Sequence, residues 1–314
     1  MKPCLVPNYY ADFACIKGDC RHSCCIGWEI DIDDDSLARY KHLPGDMGTR
    51  IRNSMEEKDG VTFFRLTEHE RCPFLNQDGL CDMILSLGED SLCHICADHP
   101  RFRNHFSTHT EMGLGLCCEA AARLILTGEE KMRLVPLEEH PVPALTDADE
   151  VYVCSLRDAW MKTLQNRTVP YARRWEKLEL ELPVPLLPAD THAWAEKLLS
   201  LERLDAQWTC ELATLQNVAK AQWLPSSFDT ALEQLTCYLL FRHLPGALDD
   251  GEMESRLAFC LLIPLLISTI GAAKGDAFTM EDFWELCRMF SSEIEYSDEN
   301  LLAILDELSA QMDA

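Results

Sequence analysis

Residues 15–28 read C-I-K-G-D-C-R-H-S-C-C-I-G-W, placing four sulfurs, Cys15, Cys20, Cys24 and Cys25, within eleven residues. A second set follows at Cys72, Cys81, Cys93 and Cys96, and a second doublet at Cys117 and Cys118. Eleven of the sixteen cysteines thus fall in the first 118 residues of a 314-residue chain. Such density predicts a module organised by what its sulfurs hold. The expected fold is mainly α. An N-terminal cysteine-rich metal-binding module with little strand is expected over 1–134, and an α-helical domain over 150–314.

The chain carries 53 acidic against 28 basic residues, a formal charge of −25. Such a surface repels phosphate backbones, which argues against nucleic acid, and attracts lysine-bearing proteins, amines or metal cations. The opening M-K-P-C-L-V-P-N-Y has no apolar segment of the signal-peptide kind, so a cytoplasmic chain is expected. Clustered cysteines in a reducing compartment serve as metal ligands or redox centres more often than as disulfides. The longest apolar run, 257–273, is shorter than the ~20 residues a bilayer needs and is interrupted by Pro264. It reads as a buried core helix, and no membrane is expected.

In chain order, W-E-I-D-I-D at 28–33 alternates as a short strand does. A helix is expected over 36–43, capped by Asp35 or Ser36 and ended by Pro44-Gly45. Residues 45–60 read as polar and weakly structured, and 61–66 as a strand that pairs with the earlier one. Pro73 and Asp78-Gly79 fold the chain back between Cys72 and Cys81. Residues 84–91 are helix-prone, and a helix follows Cys118 and ends at Gly128. The proline-rich, acidic stretch 134–149 marks the expected domain boundary. Helices are then expected over 151–165, 193–204, 209–221, 228–243, 252–270, 281–290 and 298–311, with Thr279 and Ser297 as N-caps.

Thiolate is a soft ligand suited to zinc, copper(I) or iron–sulfur clusters. Only one C-x2-C pair occurs, at Cys93 and Cys96, and the C-x4-C-x3-C-C run matches neither a zinc finger nor a bacterial ferredoxin. Iron–sulfur, zinc and metal-free thiols all remain open on spacing. Consecutive side chains usually diverge, so Cys24 and Cys25 reach one centre only over a bent backbone; otherwise the neighbour serves a second centre or packs. Cys154, Cys210, Cys237, Cys260 and Cys287 are isolated on apolar faces and read as core. His94, His99, His105 and His109 lie among the second set as further possible ligands. Asp31, Asp33, Asp34 and Asp35 form an acidic cluster beside Trp28, either a solvated loop or a cation site.

These residues resemble the flagellin lysine-N-methylase (FliB-type) family. The opening pattern is Tyr10, Phe13, Cys15, Cys20, Cys24-Cys25, Trp28, Ile30, Asp33 and Tyr40. The second runs Cys72-Pro73-Phe74-Leu75, Gly79, Cys81, Leu87-Gly88-Glu89, Cys96 and Pro100-Arg101. The third is Cys118 leading into Ala121-Ala122-Arg123-Leu124, and the last comprises Phe241-Arg242-His243, Ser292, Glu295 and Asn300-Leu301. The chain departs from the family at Glu119-Ala120 and at Tyr296. A smaller cysteine-rich family of zinc- or iron-chelating proteins shares only the first two motifs.

The resemblance implies transfer of methyl from S-adenosylmethionine to lysines of a protein substrate, flagellin or another lysine-bearing protein, by an iron–sulfur protein. The implied ligands, for a 4Fe-4S cluster or alternatively zinc, are Cys15, Cys20, Cys24, Cys25, Cys72, Cys81, Cys96 and Cys118; Cys93 and Cys117 are additions. Eight sulfurs exceed the four that one four-iron cluster needs, so either two centres exist or some thiols are structural. Lysine, with a free pKa of ~10.4, must lose its proton before it can accept a methyl group. Asp31, Asp33 and Glu111 are candidates to attract it, Tyr10 and Tyr40 candidate bases, and Arg101, Glu295 and Asn300 candidate cofactor contacts.

Overall fold

A computed structural model describes residues 2–28, 30–138, 140–186 and 189–312. The chain forms two compact units. One comprises Ala14–Arg101 with Cys118–Ala120, the other Met1–Phe13, Phe102–Cys117 and Ala121–Ala314. Helix dominates and strand is limited to seven short segments among the described residues. The expected line at 134–149 is therefore not where the units divide. The reason is a strand, Cys4–Pro7, that lies between Thr110–Leu114 and Leu134–Pro136 in a four-stranded sheet completed by Arg101–His105. It runs parallel to the first, with Cys4 opposite Thr110, and antiparallel to the second, with Leu5 opposite Pro136. Backbone pairing thus ties the N-terminus to the helical unit and leaves the cysteine-rich segment as an insertion within it.

In the cysteine-rich unit, Ile30–Asp31 pairs antiparallel with Val61–Phe64, as the alternation predicts, and Met55–Lys58 adds the third strand. Glu29, part of the expected strand, lies outside the described residues. Asp33, not Asp35 or Ser36, caps the helix Asp34–His42 by accepting from Ser36 N at 2.9 Å. Residues 45–54, expected to be irregular, form a second helix, Gly45–Ser54, whose Ile51 is wholly buried. Its two glycines hide the helical signal, and packing supplies what propensity does not. Tyr40, Ile51, Phe64, Phe74 and Met83 make the small core, with Phe64 and Phe74 edge to face at 4.9 Å. Each such ring contributes about 2–3 kcal/mol by burial.

Gly48 has a packing role in that core. A Cβ there would lie 2.1 Å from the Leu43 carbonyl oxygen and 2.7 Å from its carbon. Alanine gains about 1 kcal/mol of helix propensity, but this overlap falls on backbone and costs about 2–3 kcal/mol. Gly48→Ala is expected to be destabilising on balance, and a raised melting temperature would show that the carbonyl gives way.

The helical unit packs Met253–Ala273 against Ala206–Gln216, Asp229–His243 and Asp298–Met312. Met253–Ala273 is long and apolar enough to cross a membrane, yet 83% of its most apolar window is buried inside the protein, so it is a core helix. Pro264 deprives the Cys260 carbonyl of its helical donor, and the next carbonyl, Leu261, accepts from Trp175 Nε1 at 2.9 Å. Trp175 belongs to Tyr171–Glu179, a helix the sequence reading passes over. The expected helices at 151–165, 193–204, 209–221, 228–243, 252–270, 281–290 and 298–311 are present with shifted ends. The second proline stretch includes Leu187 and Pro188, which lie outside the described residues.

Candidate functional site

The cysteine-rich unit contains all eight cysteines of the implied ligand set, because the chain returns at Cys118–Ala120 to join Ala14–Arg101. Local structure explains how the distant motifs meet. The Cys72 amide donates to the Cys25 carbonyl at 2.8 Å, and Ile26 bridges to Arg71, so the first doublet lies against the second motif. Asn76 Oδ1 accepts from Asp78 N and Leu80 N, both at 2.9 Å, and Leu75 bridges to Cys81. That is the fold-back expected from Asp78-Gly79.

The sulfurs fall into two loose sets that meet at the doublet. Cys25 accepts hydrogen bonds from Cys24 and Cys72, with a further one from Ser23 and with His99 nearby. These donors hold its thiol well below the usual range, at about 3, so Cys25 is the first of the group to become thiolate. Cys81 and Cys96 lie within electrostatic range of the same sulfur. Cys96 in turn donates to Cys93, which lowers the Cys93 thiol and raises its own. On the other side, Cys24 senses Cys15 and Cys118, and Cys20 senses Cys118 and Cys15. Burial pushes the Cys20 thiol up to about 11.

Glu119 stands beside this second set. Its buried carboxylate accepts from Arg21 N at 2.8 Å and Arg21 Nε at 3.3 Å, and lies 3.8 Å from Cys20 Sγ. All sixteen cysteines are free thiols. Among the described residues no three His, Cys, Asp or Glu side chains converge tightly enough to cage a single metal ion. The thiols form wider groupings: Cys25, Cys72, Cys81 and Cys96 on one side, Cys15, Cys20, Cys24 and Cys118 on the other. Each holds four soft donors, the number one four-iron cluster takes. In the first set the Cys25 thiol is lowered, while in the second Cys20 and Cys24 are raised.

The other sequence candidates are dispersed. Asp31 is exposed at the sheet edge opposite Phe63. Asp33 accepts from the amides of Ser36 and His94, the latter at 2.8 Å, and its carboxyl is lowered to about 2 despite the opposing effect of desolvation. It is a cap that ties two segments together. Tyr40 is fully buried and its hydroxyl donates to the Ser91 carbonyl at 2.7 Å; burial raises its pKa, so it is placed as a core anchor. Arg101 Nη1 reaches the carbonyls of Ala97 and Asp98 at 3.5 and 3.4 Å.

In the helical unit, Tyr10 donates to Met112 Sδ at 3.6 Å. Glu111 is buried and bound by both terminal nitrogens of Arg157 at 2.6 Å. Asn300 Nδ2 donates to the carbonyls of Glu202 and Glu293 at 2.9 and 2.7 Å, a structural tie between segments. Glu295 has the densest surroundings. It ends a π-helical turn, Ser291–Glu295, and accepts from Tyr238 Oη at 2.9 Å and from His243 Nε2 at 2.5 Å, with Arg242 Nε at 3.5 Å. Arg242 is held between the rings of Phe102 and Tyr296, 4.9 and 4.7 Å from their centroids.

No protein-family model matches the chain, and no solved structure gives a significant match. Relatives in Salmonella do. The proteins named lysine-N-methylase in Salmonella choleraesuis (strain SC-B67) and Salmonella typhimurium (strain LT2) are each 26% identical over 139 residues. That match covers 41% of this chain and 33% of each lysine-N-methylase, so the chain spans about a third of their length. A protein of Salmonella muenchen named flagellar biosynthetic protein FliU is 24% identical over 139 residues, 79% of its length. The chain is similar to the lysine-N-methylases.

Within this lysine-N-methylase-like chain, two groups, Glu119 and Tyr238, escaped sequence reasoning as site residues, and a third, His99, was not singled out. Glu119 stood out only as a departure from the family pattern, and its burial beside Cys20 was not signalled. His99 read as one of four histidines that either ligate or belong to a polar loop; it lies within electrostatic range of Cys25, with its ring 6.2 Å from that of Trp28. Tyr238 lies one helical turn before Arg242, whose Nη1 donates to its hydroxyl at 2.9 Å. The i, i+4 spacing was the available signal.

Proposed function

We propose that the chain is a protein-lysine N-methyltransferase that uses S-adenosylmethionine and an iron–sulfur cluster held by its cysteines, with surface lysines of flagellin as substrate. The observation that carries this reading is the gathering of the eight family cysteines in one compact unit, alongside the similarity to lysine-N-methylases. Eight thiols in one unit supply soft donors enough for a polynuclear cluster, which takes four cysteines. Cys25, Cys72, Cys81 and Cys96 would hold it, with Cys25 already biased to thiolate.

When bound, such a cluster would supply Lewis acidity toward the methyl donor. The chain's own residues meet the other demands. A net charge of −25 draws a lysine-rich partner, and the exposed Asp31 offers a carboxylate to its ammonium. Seating that ammonium against buried surface lowers its pKa and prepares it to lose a proton.

The test is iron, zinc and acid-labile sulfide content of protein purified without oxygen, followed by transfer of labelled methyl to flagellin. About four iron and four sulfide per cluster, with labelled lysine in flagellin, is the expected result. Stoichiometric zinc without sulfide would sink the cluster reading and favour a metal-chelating protein. Cluster-loaded protein that labels another lysine-bearing protein but not flagellin would overturn the substrate alone.

A further inference from the structure

The helical unit contains a cleft of about 770 Å³, within the usual size of small-molecule sites. Its buried lining is already satisfied: Arg157 and Glu111 bind each other bidentately, and His109 Nε2 stands 3.7 Å from the same carboxylate. Leu134, Leu145 and Met161 give it apolar wall.

Three exposed cations, Lys131, Arg133 and Lys162, also line it. None of their charged groups has a hydrogen-bond or ion-pair partner among the described residues. The chain has 53 acidic residues against 28 basic ones, so unpaired cations gathered at one cleft stand out. The lining holds four cations, counting Arg157, against two carboxylates, Glu111 and Asp158. The local charge is opposite in sign to that of the protein as a whole.

We infer that this cleft binds a small organic anion, its phosphate or carboxylate held by Lys131, Arg133 and Lys162 and its apolar body resting on Leu134, Leu145 and Met161. Focusing in a walled cleft strengthens such contacts beyond what the same charges give on open surface. S-adenosylmethionine, with a sulfonium and an ammonium against one carboxylate, has the wrong charge for it. The site is therefore distinct from the methyl-donor site of the proposed function, and either can fail without the other.

Calorimetric titration of the whole chain with benzyl phosphate, phenylacetate and benzyl alcohol tests the inference. Both anions are expected to bind one site saturably and to weaken as salt rises. Benzyl alcohol should bind at least about tenfold more weakly. The tighter of the two anions identifies a phosphate or a carboxylate as the preferred group. The triple variant Lys131→Ala, Arg133→Ala, Lys162→Ala alters exposed side chains only and should weaken the anions at least about tenfold. Lys162→Gln alone should weaken them about threefold. Equal binding of benzyl alcohol, no saturable anion binding below about 10 mM, or wild-type affinity in the triple variant would each overturn it.

Discussion

Glu295→Ala is expected to destabilise the helical unit by about 3–5 kcal/mol, the cost of leaving a buried charge without its partner. The carboxylate is fully buried, and it accepts from Tyr238 and His243 while facing Arg242. Truncation leaves the Arg242 guanidinium uncompensated between two rings and removes the acceptor of two buried donors. Glu295→Gln keeps an acceptor for Tyr238 and should cost less. Urea unfolding measures both, and a loss below about 1 kcal/mol for alanine would mean that the network is ornamental.

The same group sets an acid dependence. Desolvation opposes the charged form, but Arg242 and then His243 outweigh it and hold the carboxyl at about 2. Its folded pKa lies below its unfolded value, so its contribution is present above the unfolded pKa and is lost as pH falls toward about 2. Burial lowers His243 in spite of Glu295, so the imidazole stays neutral and donates through Nε2. That shift also removes stability as pH falls below the unfolded value for histidine. Wild-type protein should lose stability steadily on acidification, and Glu295→Gln should show a flatter profile.

On the proposed iron–sulfur reading, Cys25→Ser is expected to lower iron and sulfide content at least about tenfold, while Cys93→Ser leaves most of it in place. Cys25 receives hydrogen bonds from Cys24, Cys72 and Ser23, and so is the sulfur best prepared to bind metal as thiolate. Cys93 is buried and bonded to Cys96 alone among the cysteines, which fits a packing role. Full iron in Cys25→Ser with loss in Cys93→Ser would reverse the assignment. Cys24→Ser adds a finer reading: Cys24 lies with Cys15 and Cys118, so partial loss would indicate a second centre.

Much of the architecture was legible because it rests on local pattern. Apolar periodicity located the long helices, Pro264 notwithstanding, and alternation with turn chemistry located the sheet of the cysteine-rich unit. The helix Gly45–Ser54 escaped because its glycines lower local propensity and only packing restores it. Tyr171–Glu179 escaped because its arginines, Arg173 and Arg174, mask the Tyr171, Trp175 and Leu178 face, though Arg174 is itself buried against Glu233. The cysteines were legible as a group, but not their sorting, since Cys118 reaches the first motif only through the tertiary fold. Asp33, Tyr40 and Asn300 look chemically apt in sequence. Their partners, His94, Ser91 and Glu202, lie far along the chain, so their structural roles could not be read there.

The strand Cys4–Pro7 bears on how the protein is made. It leaves the ribosome before its partners: Thr110 emerges only after the cysteine-rich segment, and Pro136 later still. Loop closure of that span must precede any reward from the sheet. The inserted segment forms a compact unit of its own and can collapse while the first strand waits. Metal delivery during synthesis would then find its thiols assembled, except Cys118, before the helical unit that brackets them is complete.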